Sequence, residues 1–533
     1  MKQLLRFGIM AVILGLLTGG AAVAQFAPYS YTVQANNALD DAAPPEPRLA
    51  SNVIIDILPS QTEVGELWLA TGGGVTRMIP SALPVDYTFR SYSEAQGLGK
   101  GGVSGLVVTD SIIWASFAFD TSVGVSGAGG GLAYSRNEGE TWTWLPQPRD
   151  STYSVDSDGF SSVLGYWPTT TNVDNITYDI ALSDSFVWIV SKGGGIRRHA
   201  FAADYTDYRS ITGWRVIDTL KIEGGSAMPF HPGDPANGLI HRPFSAIFDR
   251  INHTLWVGTA AGVLKSTNEG RTWRQYAATG GLNGISGNFV TALGYQAYDS
   301  SIWAATWRAE SAREFYAVSK TTDGGNTWTV YLDSAQVTRA IGSWNPVRAH
   351  GFGFDGPTVY VCDDAGLWKS PDNGATWDLL TADRIAESGT ERRFYYDGIY
   401  AAFHQNNRLW VGGVDGLAFT DNGGLAWNVL QTGVPLNSPA RDVDAYAYPN
   451  PFSPQRFGVV KFRYSTTGGA VKISIYDFAM SKVVDLPTAT RAPGVHYEVW
   501  DGKKDGTIVA NGTYFYKIDK PGGEAWGKVI VLD

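Results

Sequence analysis

The 533 residues carry 41 Lys or Arg against 51 Asp or Glu, a net charge of −10 with no basic cluster, which excludes nonspecific nucleic-acid binding because that needs cations to replace counterions along the phosphates. A hydrophobic content of 44% excludes a wholly disordered chain, while 63 Gly and 13% aromatic residues, including 19 Trp, point to many short strands joined by tight turns. The length would suggest three or four domains, but one large repeat architecture absorbs most of it.

The first residues read as an export signal. Lys2 and Arg6 precede an apolar stretch from Phe7 to Leu17, and Ala22-Val23-Ala24 forms an A-x-A cleavage pattern that leaves Gln25 as the mature N-terminus. The apolar stretch is short and ends in Thr18-Gly19-Gly20, which favours a cleaved signal peptide over residues 1–24 rather than an anchor. The mature chain then carries −12, is expected to have no membrane span, and is expected to be secreted or displayed at the cell surface. Residues 25–50 read as a linker or a closing strand: Phe26–Val33 is strand-like, and Ala42-Ala43-Pro44-Pro45-Glu46-Pro47 is extended.

From residue 51 a strand of the form apolar-aromatic-apolar-small recurs as Leu67-Trp68, Ile113-Trp114, Val187-Trp188, Leu255-Trp256, Ile302-Trp303, Val359-Tyr360 and Leu409-Trp410. The spacings of 46, 74, 68, 47, 57 and 50 residues match one four-stranded unit with insertions in the longer copies. Each copy has an apolar run upstream, from Val53–Leu58 in the first to Ile399–Phe403 in the last, so seven inner strands accompany seven second strands. Cys362, the sole cysteine, lies inside one of these runs and is expected to be a small core residue.

Five third strands run into a second motif. It comprises Ser135, Asn137, Gly139 and Trp142; Ser266, Asn268, Gly270 and Trp273; Thr321, Asp323, Gly325 and Trp328; Ser370, Asp372, Gly374 and Trp377; and Thr420, Asn422, Gly424 and Trp427. A short Asp or Asn side chain can cap the amides of its turn, Gly takes a positive φ and Trp packs between units. These five resemble the Asp-box, or sialidase-type (BNR), repeat of β-propellers, where the box is structural. The first and third copies lack it, and Ala70-Thr71-Gly72-Gly73-Gly74-Val75 with Tyr87-Thr88-Phe89-Arg90-Ser91-Tyr92, and Ser191-Lys192-Gly193-Gly194-Gly195-Ile196, resemble the sensor propellers of two-component regulators. The resemblance covers residues 51–431 and implies a seven-bladed β-propeller, which buries the two apolar faces of each blade by closing a ring.

Residues 432–447 form a turn-rich linker. Beyond it, Tyr448-Pro449-Asn450-Pro451-Phe452, the run Val471 to Asp477, Trp500-Asp501-Gly502 and Asn511 to Tyr516 resemble the immunoglobulin-like domain of flagellar hook-capping proteins and the sorting domain of type IX secretion cargo. That likeness implies a β-sandwich over 448–533 and a partnership with secretion machinery. Independently, Val471, Ile473 and Ile475 alternate with Lys472, Ser474 and Tyr476, the period of a strand with one buried face.

Outer-to-inner and second-to-third connections of a propeller share one face, and most insertions fall there: Trp144–Asn175, Thr219–Pro243, Phe117–Gly130 and Ala305–Phe315. Ligand-binding candidates in them are Tyr153, Asp156, Asp158, Tyr166 and Trp167, then His231 and His241, then Trp307, Arg308 and Arg313. Flat rings beside acids suit sugar faces and hydroxyls, while the same rings can also simply pack their loops on the blades. His231 and His241 lack a third ligand at motif spacing, and Asp156-Ser157-Asp158-Gly159 lacks the closing acid of a calcium loop, so no metal is expected. No cofactor motif is present.

Three functions compete. The first is a non-catalytic, surface-associated propeller binding a polysaccharide or an envelope protein through this face. The second is a glycoside hydrolase of the sialidase or xyloglucanase kind, although Arg77-Met78-Ile79-Pro80 departs by one residue from the sialidase Arg-Ile-Pro text and a tandem propeller is missing. The third is a surface component of a secretion apparatus. The balance favours binding.

Overall fold

The computed structural model describes residues 47–81, 86–121, 127–150, 169–200, 213–231, 238–279, 283–309, 311–388, 392–431, 445–448, 452–454 and 458–532, with residues 45 and 450. Each sequence repeat forms one four-stranded antiparallel sheet whose strands follow chain order from inner to outer, and seven such sheets follow one another. Their inner strands are Ile54–Pro59, Gly102–Val108, Thr177–Leu182, Pro243–Asp249, Phe289–Gln296, Gly351–Asp355 and Ile399–Gln405. Each inner strand packs on the next, and Ile54–Pro59 packs on Ile399–Gln405, so the sheets close a ring. The chain is a seven-bladed β-propeller followed by a small β-sandwich.

The second strands read as continuous apolar runs because both their faces are covered by neighbouring blades, as in Leu67–Thr71, buried at every residue. At six junctions the aromatic ring of a second strand meets, edge to face, a ring from the following blade. The pairs are Trp68–Trp142 at 6.4 Å, Trp114–Trp214 at 6.2 Å, Trp188–Trp273 at 6.4 Å, Trp256–Trp328 at 6.3 Å, Trp303–Trp377 at 6.4 Å and Trp410–Tyr87 at 5.3 Å. At the remaining junction Tyr360 and Trp427 share one core cluster. Trp214 and Tyr87 occupy this place in the two blades that lack the Ser/Thr-x-Asn/Asp-x-Gly hairpin.

A cation completes the contact. Arg77, Arg198, Lys265 and Lys320 lie directly across the ladder from Trp68, Trp188, Trp256 and Trp303. Each holds its charge 5.0–5.6 Å from the ring centroid. The same cations then reach the hairpin of the following blade, donating to the carbonyls of Glu138, Glu269 and Gly324 and to Asn373 Oδ1. Arg77 is thus a junction residue, ion-paired with Glu66 at 2.7 Å and Glu138 at 2.9 Å.

The five hairpins repeat one hydrogen-bond set. Gly139, Gly270, Gly325, Gly374 and Gly424 donate to the hydroxyl of the motif Ser or Thr at 2.7–3.0 Å. The Asn or Asp oxygen accepts from the amide four residues on at 2.7–2.9 Å. The glycine is required twice over: at Gly270 φ is 79°, and a Cβ would lie 2.7 Å from Trp188 of the preceding blade. Hydrogen bonds from Thr327 hold Asp323 down at about 2, so this carboxylate stays ionised as a cap.

Ring closure uses no strand exchange among the described residues, since the last blade draws all four strands from 399–430. Leu49, Ile54, Leu67 and Met78 of the first blade share a core with Trp410, Leu417 and Phe419 of the last. The strand expected at Phe26–Val33 lies outside the described residues. The insertion expected at Phe117–Gly130 is instead largely sheet: Phe117–Asp120 and Gly127–Gly130 prolong the hairpin, because Gly129, Gly130 and Gly131 let the backbone run close beneath Gln147, Lys100 and Trp144.

The sandwich has a three-stranded sheet, Ala445–Tyr448, Val460–Thr466 and Gly494–Trp500, facing a larger sheet built on Gly469–Tyr476, Gly512–Lys520 and Gly523–Val531. Val471, Ile473 and Ile475 point inward to Phe462, Tyr516 and Val529. On Val460–Thr466 the alternate residue Lys461 points outward to the propeller, where its ammonium is buried between the rings of Tyr395 and Tyr396 and pairs with Asp415. The second Asp415 oxygen accepts the amides of Tyr395 and Tyr396 at 2.6 and 2.9 Å, and the Tyr396 hydroxyl donates to the Val459 carbonyl.

Two outcomes are expected. Trp214→Ala should lose about 3–5 kcal/mol in denaturant unfolding, as Trp273→Ala should, because each empties the same edge-to-face position; a loss confined to Trp273→Ala would refute the equivalence. Lys461→Met strands a buried carboxylate, so it should destabilise by roughly 3–5 kcal/mol and release the sandwich early in limited proteolysis.

Candidate functional site

Inner strands begin and second strands end at one end of the ring, so the outer-to-inner and second-to-third connections gather there. The sandwich docks on this same loop face, because Asp415 lies in the second-to-third turn of blade 7 and Tyr395 and Tyr396 in the connection entering that blade. Blade 7 is therefore partly covered by the chain's own sandwich.

At blade 5 residues 308–309 and 311–316 gather around one buried acid. The Glu314 carboxylate, 5% exposed, accepts from Asn288 N at 3.0 Å, Asn288 Nδ2 at 3.1 Å, Ala309 N at 2.8 Å and Ser311 N at 3.2 Å. Phe315 N donates to the Ser286 carbonyl at 3.0 Å, tying the loop to the connection from blade 4. Arg308, Arg313 and Phe315 are exposed on this rim, and the Arg348 guanidinium lies 5.5 Å from the centroid of Tyr316.

Beneath the rim an arc of rings crosses blades 3 to 7. Tyr178 and Phe244 lie 5.4 Å apart, Phe244 and Phe289 stack at 4.5 Å, Trp307 follows at 6.5 Å, and His350 joins Trp307 at 5.6 Å to Tyr400 at 5.3 Å. Tyr178, Phe244 and Tyr400 are the extra residues of β-bulges at the starts of their inner strands, which turns their side chains off the ladder register. Ser104 and Thr291 hold the same bulge position in blades 2 and 5 and donate to Thr177 O and Ala349 O of the next blade.

His350 Nε2 is 2.5 Å from Asp364 Oδ1. Its neighbour Asp363 accepts from Arg348 N at 2.6 Å and Trp368 Nε1 at 3.2 Å, yet burial, reinforced by the Asp364 charge, pushes its carboxyl up to about 7.

The sequence-derived candidates distribute unevenly over this geometry. Tyr153, Asp156, Asp158, Tyr166 and Trp167 lie outside the described residues. The two ends of their connection are pinned, since Asp150 pairs with Arg197 at 2.8 Å and its second oxygen accepts Thr169 N at 2.6 Å. His231 is half-buried, whereas His241 is 2% exposed, lies 5.5 Å from Phe230 and is pushed down to about 4 by burial and by the neighbouring His231. His241 is thus a neutral packing residue. Trp307 is likewise 1% exposed and donates to Ala349 O at 3.1 Å, so it supports the rim from below and offers no ring face to a ligand. Arg308 and Arg313 alone among the described candidates share an exposed loop. Cys362 is buried, and among the described residues no three His, Cys, Asp or Glu are grouped to hold a metal ion.

Sequence reasoning missed Glu314, His350, Arg348 and the bulge aromatics. Glu314 sits in a polar loop text like any solvated acid, and a bulge leaves no mark in the two-residue alternation of a strand. A separate concavity of about 770 Å³ opens on the hairpin side between blades 3 and 4, lined by Arg198, His199, Arg215, Glu269 and Arg271. Its lining also includes Ala200 and Gly213.

No protein-family model matches the chain, and no curated protein does. Among solved structures it is similar to PorZ, an essential surface component of the type-IX secretion system of Porphyromonas gingivalis, at 14% identity and a TM-score of 0.32, covering 88% of this chain and 64% of that one. It is also similar to the extracellular domain of a putative one-component system from B. thetaiotaomicron (11%, 0.35, covering 90% and 68%) and to an ancestral GH74 enzyme (14%, 0.45, covering 96% and 64%). The chain thus spans less than two thirds of the PorZ chain. Likenesses this distant carry nothing about ligand or activity.

Asp363 predicts a pH dependence. The folded chain keeps this proton from the usual 3.8 up to about 7, so unfolding releases it and stability falls as pH rises through that window. In Asp363→Asn this decline should be absent from thermal midpoints taken at about pH 4.5 and about pH 8; a decline equal to that of the unsubstituted chain would place its source elsewhere.

Proposed function

We propose that the chain is an exported, surface-associated and non-catalytic propeller that binds a polysaccharide or an envelope protein through the open part of its loop face. The observation that carries this reading is the blade-5 rim, where a buried Glu314 fixes a loop that presents Arg308, Arg313 and Phe315 beside the Tyr316-stacked Arg348. A preorganised cationic rim holding a flat ring suits an anionic ligand, because guanidinium forks meet carboxylate, sulfate or phosphate groups with two parallel hydrogen bonds. Arg348 lies 3.7 Å from Asp364, so Arg308 and Arg313 are the cations through which the rim would meet an acidic group. The aromatic arc underneath supplies rigidity, so little ordering entropy is lost when a ligand docks.

Export and surface display follow the N-terminal signal and the sorting-type resemblance of the sandwich, which is also where secretion machinery would engage. No helix among the described residues is long and apolar enough to cross a membrane.

Affinity electrophoresis of residues 25–533 through gels containing alginate or hyaluronan tests the reading. Retardation should fall by about tenfold in apparent affinity in Arg308→Ala/Arg313→Ala, with unchanged thermal unfolding. Trp167→Ala reports in the same gels on the 151–168 connection. Equal mobility of the unsubstituted chain in loaded and empty gels would remove the acidic polysaccharide and leave the envelope-protein branch, which pull-down from an envelope fraction with the same double variant as control then decides.

A further inference from the structure

The distal face of the sandwich carries a second arrangement that the blade-5 rim does not explain. One sheet of the sandwich turns Lys461 toward the propeller, so the outer face of the opposite sheet points away from it. On that face Tyr476 is the cross-strand neighbour of Phe515, and Lys517 is that of Trp526. Tyr476 and Trp526 lie 5.8 Å apart with planes 30° from parallel, and Phe478 and Phe515 lie 6.3 Å apart at 31°. Phe478 is 77% and Trp526 45% exposed. Phe478 is carried on a closed turn, where Asp477 N donates to Ser481 O at 2.9 Å and Asp477 Oδ1 accepts Ser481 N at 2.9 Å.

Polar groups are fixed among these rings. Lys517 Nζ lies 2.8 Å from Asp519 Oδ1, 2.7 Å from Glu524 Oε2 and 5.8 Å from the Trp526 centroid, and Trp526 Nε1 donates to Glu524 Oε1 at 3.1 Å. Ser474, Lys472 and Lys482 converge likewise on Asp485. Exposed rings of this extent mark a contact site. The interleaved charges decide what kind: protein interfaces deplete Lys, Asp and Glu from their centres, whereas here an ion-paired triad stands between the rings. A sugar has one apolar C–H face and a perimeter of hydroxyls, so it needs flat rings together with donors and acceptors already held in place. Three lysines of the face meet three carboxylates, Lys517 with Asp519 and Glu524 and both Lys472 and Lys482 with Asp485, and Lys528 across from Phe515 adds one exposed cation, so the face carries little net charge and suits an uncharged ligand.

We infer that the outer sheet face formed by Tyr476, Phe478, Phe515 and Trp526 is a platform for a neutral polysaccharide, stacking sugar rings on the aromatics and hydrogen-bonding their hydroxyls to the Lys517, Asp519 and Glu524 triad. It is independent of the loop face and would hold the protein on a glycan while the propeller engages its own ligand.

Affinity electrophoresis of residues 25–533 through separate gels of soluble β-glucan, xylan and mannan tests it. Retardation is expected with at least one polymer, reduced by about tenfold or more in Trp526→Ala and in Phe478→Ala but kept in Arg308→Ala/Arg313→Ala. Phe478 is largely exposed, so its variant should melt with the unsubstituted chain. The inference is overturned if none of the three polymers retards the chain, or if both platform variants are retarded as strongly as the original. It is equally overturned if sedimentation shows an oligomer that either variant dissociates, which would make the face a contact with a second copy.

Discussion

The propeller depends on one repeated contact: a second-strand ring meeting the edge of a ring from the following blade, completed at four junctions by a cross-strand cation. Such an edge-to-face pair is worth about 0.5–1.5 kcal/mol beyond the area it buries, and here it recurs around a closed circle. The cation does two things at once, facing the ring and donating to the neighbouring hairpin, so blade packing and hairpin geometry are set together. That coupling explains why the hairpin oxygens are invested in backbone amides. An aspartate held ionised at about 2 by its own turn cannot serve as a general acid, whatever face it occupies.

Because each blade is written by motifs that are local in sequence, most of the fold was legible although the contacts between blades are long-range. The second-strand aromatics, the upstream inner strands and the hairpin motif each recur with fixed internal spacing, and the alternation from Val471 to Tyr476 marked the sandwich. Trp214 escaped notice, and Tyr87 was read only as part of the first blade's sensor-like text, because both fill the junction without the hairpin text around it. Their presence shows that geometry selects the ring and that the motif is one of several ways to deliver it. The bulge residues Tyr178, Phe244 and Tyr400 were invisible for a different reason: a bulge is decided by how two strands pair, which no single strand's pattern records.

The candidate site was legible only in outline. The idea that long connections share one face needs only the strand order, and Arg308 and Arg313 were placed by it. The roles of Trp307 and His241 reversed because burial depends on which neighbours cover a loop residue, and that is long-range information. Glu314 shows the same limit from the other side. Four hydrogen bonds to one carboxylate make it the organiser of its loop, yet its text is that of a surface acid.

The placement of the sandwich ties these surfaces into one object. A buried ion pair contributes little net stability over an apolar pair, but removing either partner is costly, so Lys461 and Asp415 act as a register device between two bodies. With Tyr396 also donating across the junction, the sandwich sits at blade 7, away from the blade-5 rim. Its inner sheet is consumed by docking, and its outer sheet then faces away from the ring. The docking leaves the cationic rim and the aromatic sheet as two separate exposed surfaces of one chain, joined through the Lys461–Asp415 contact.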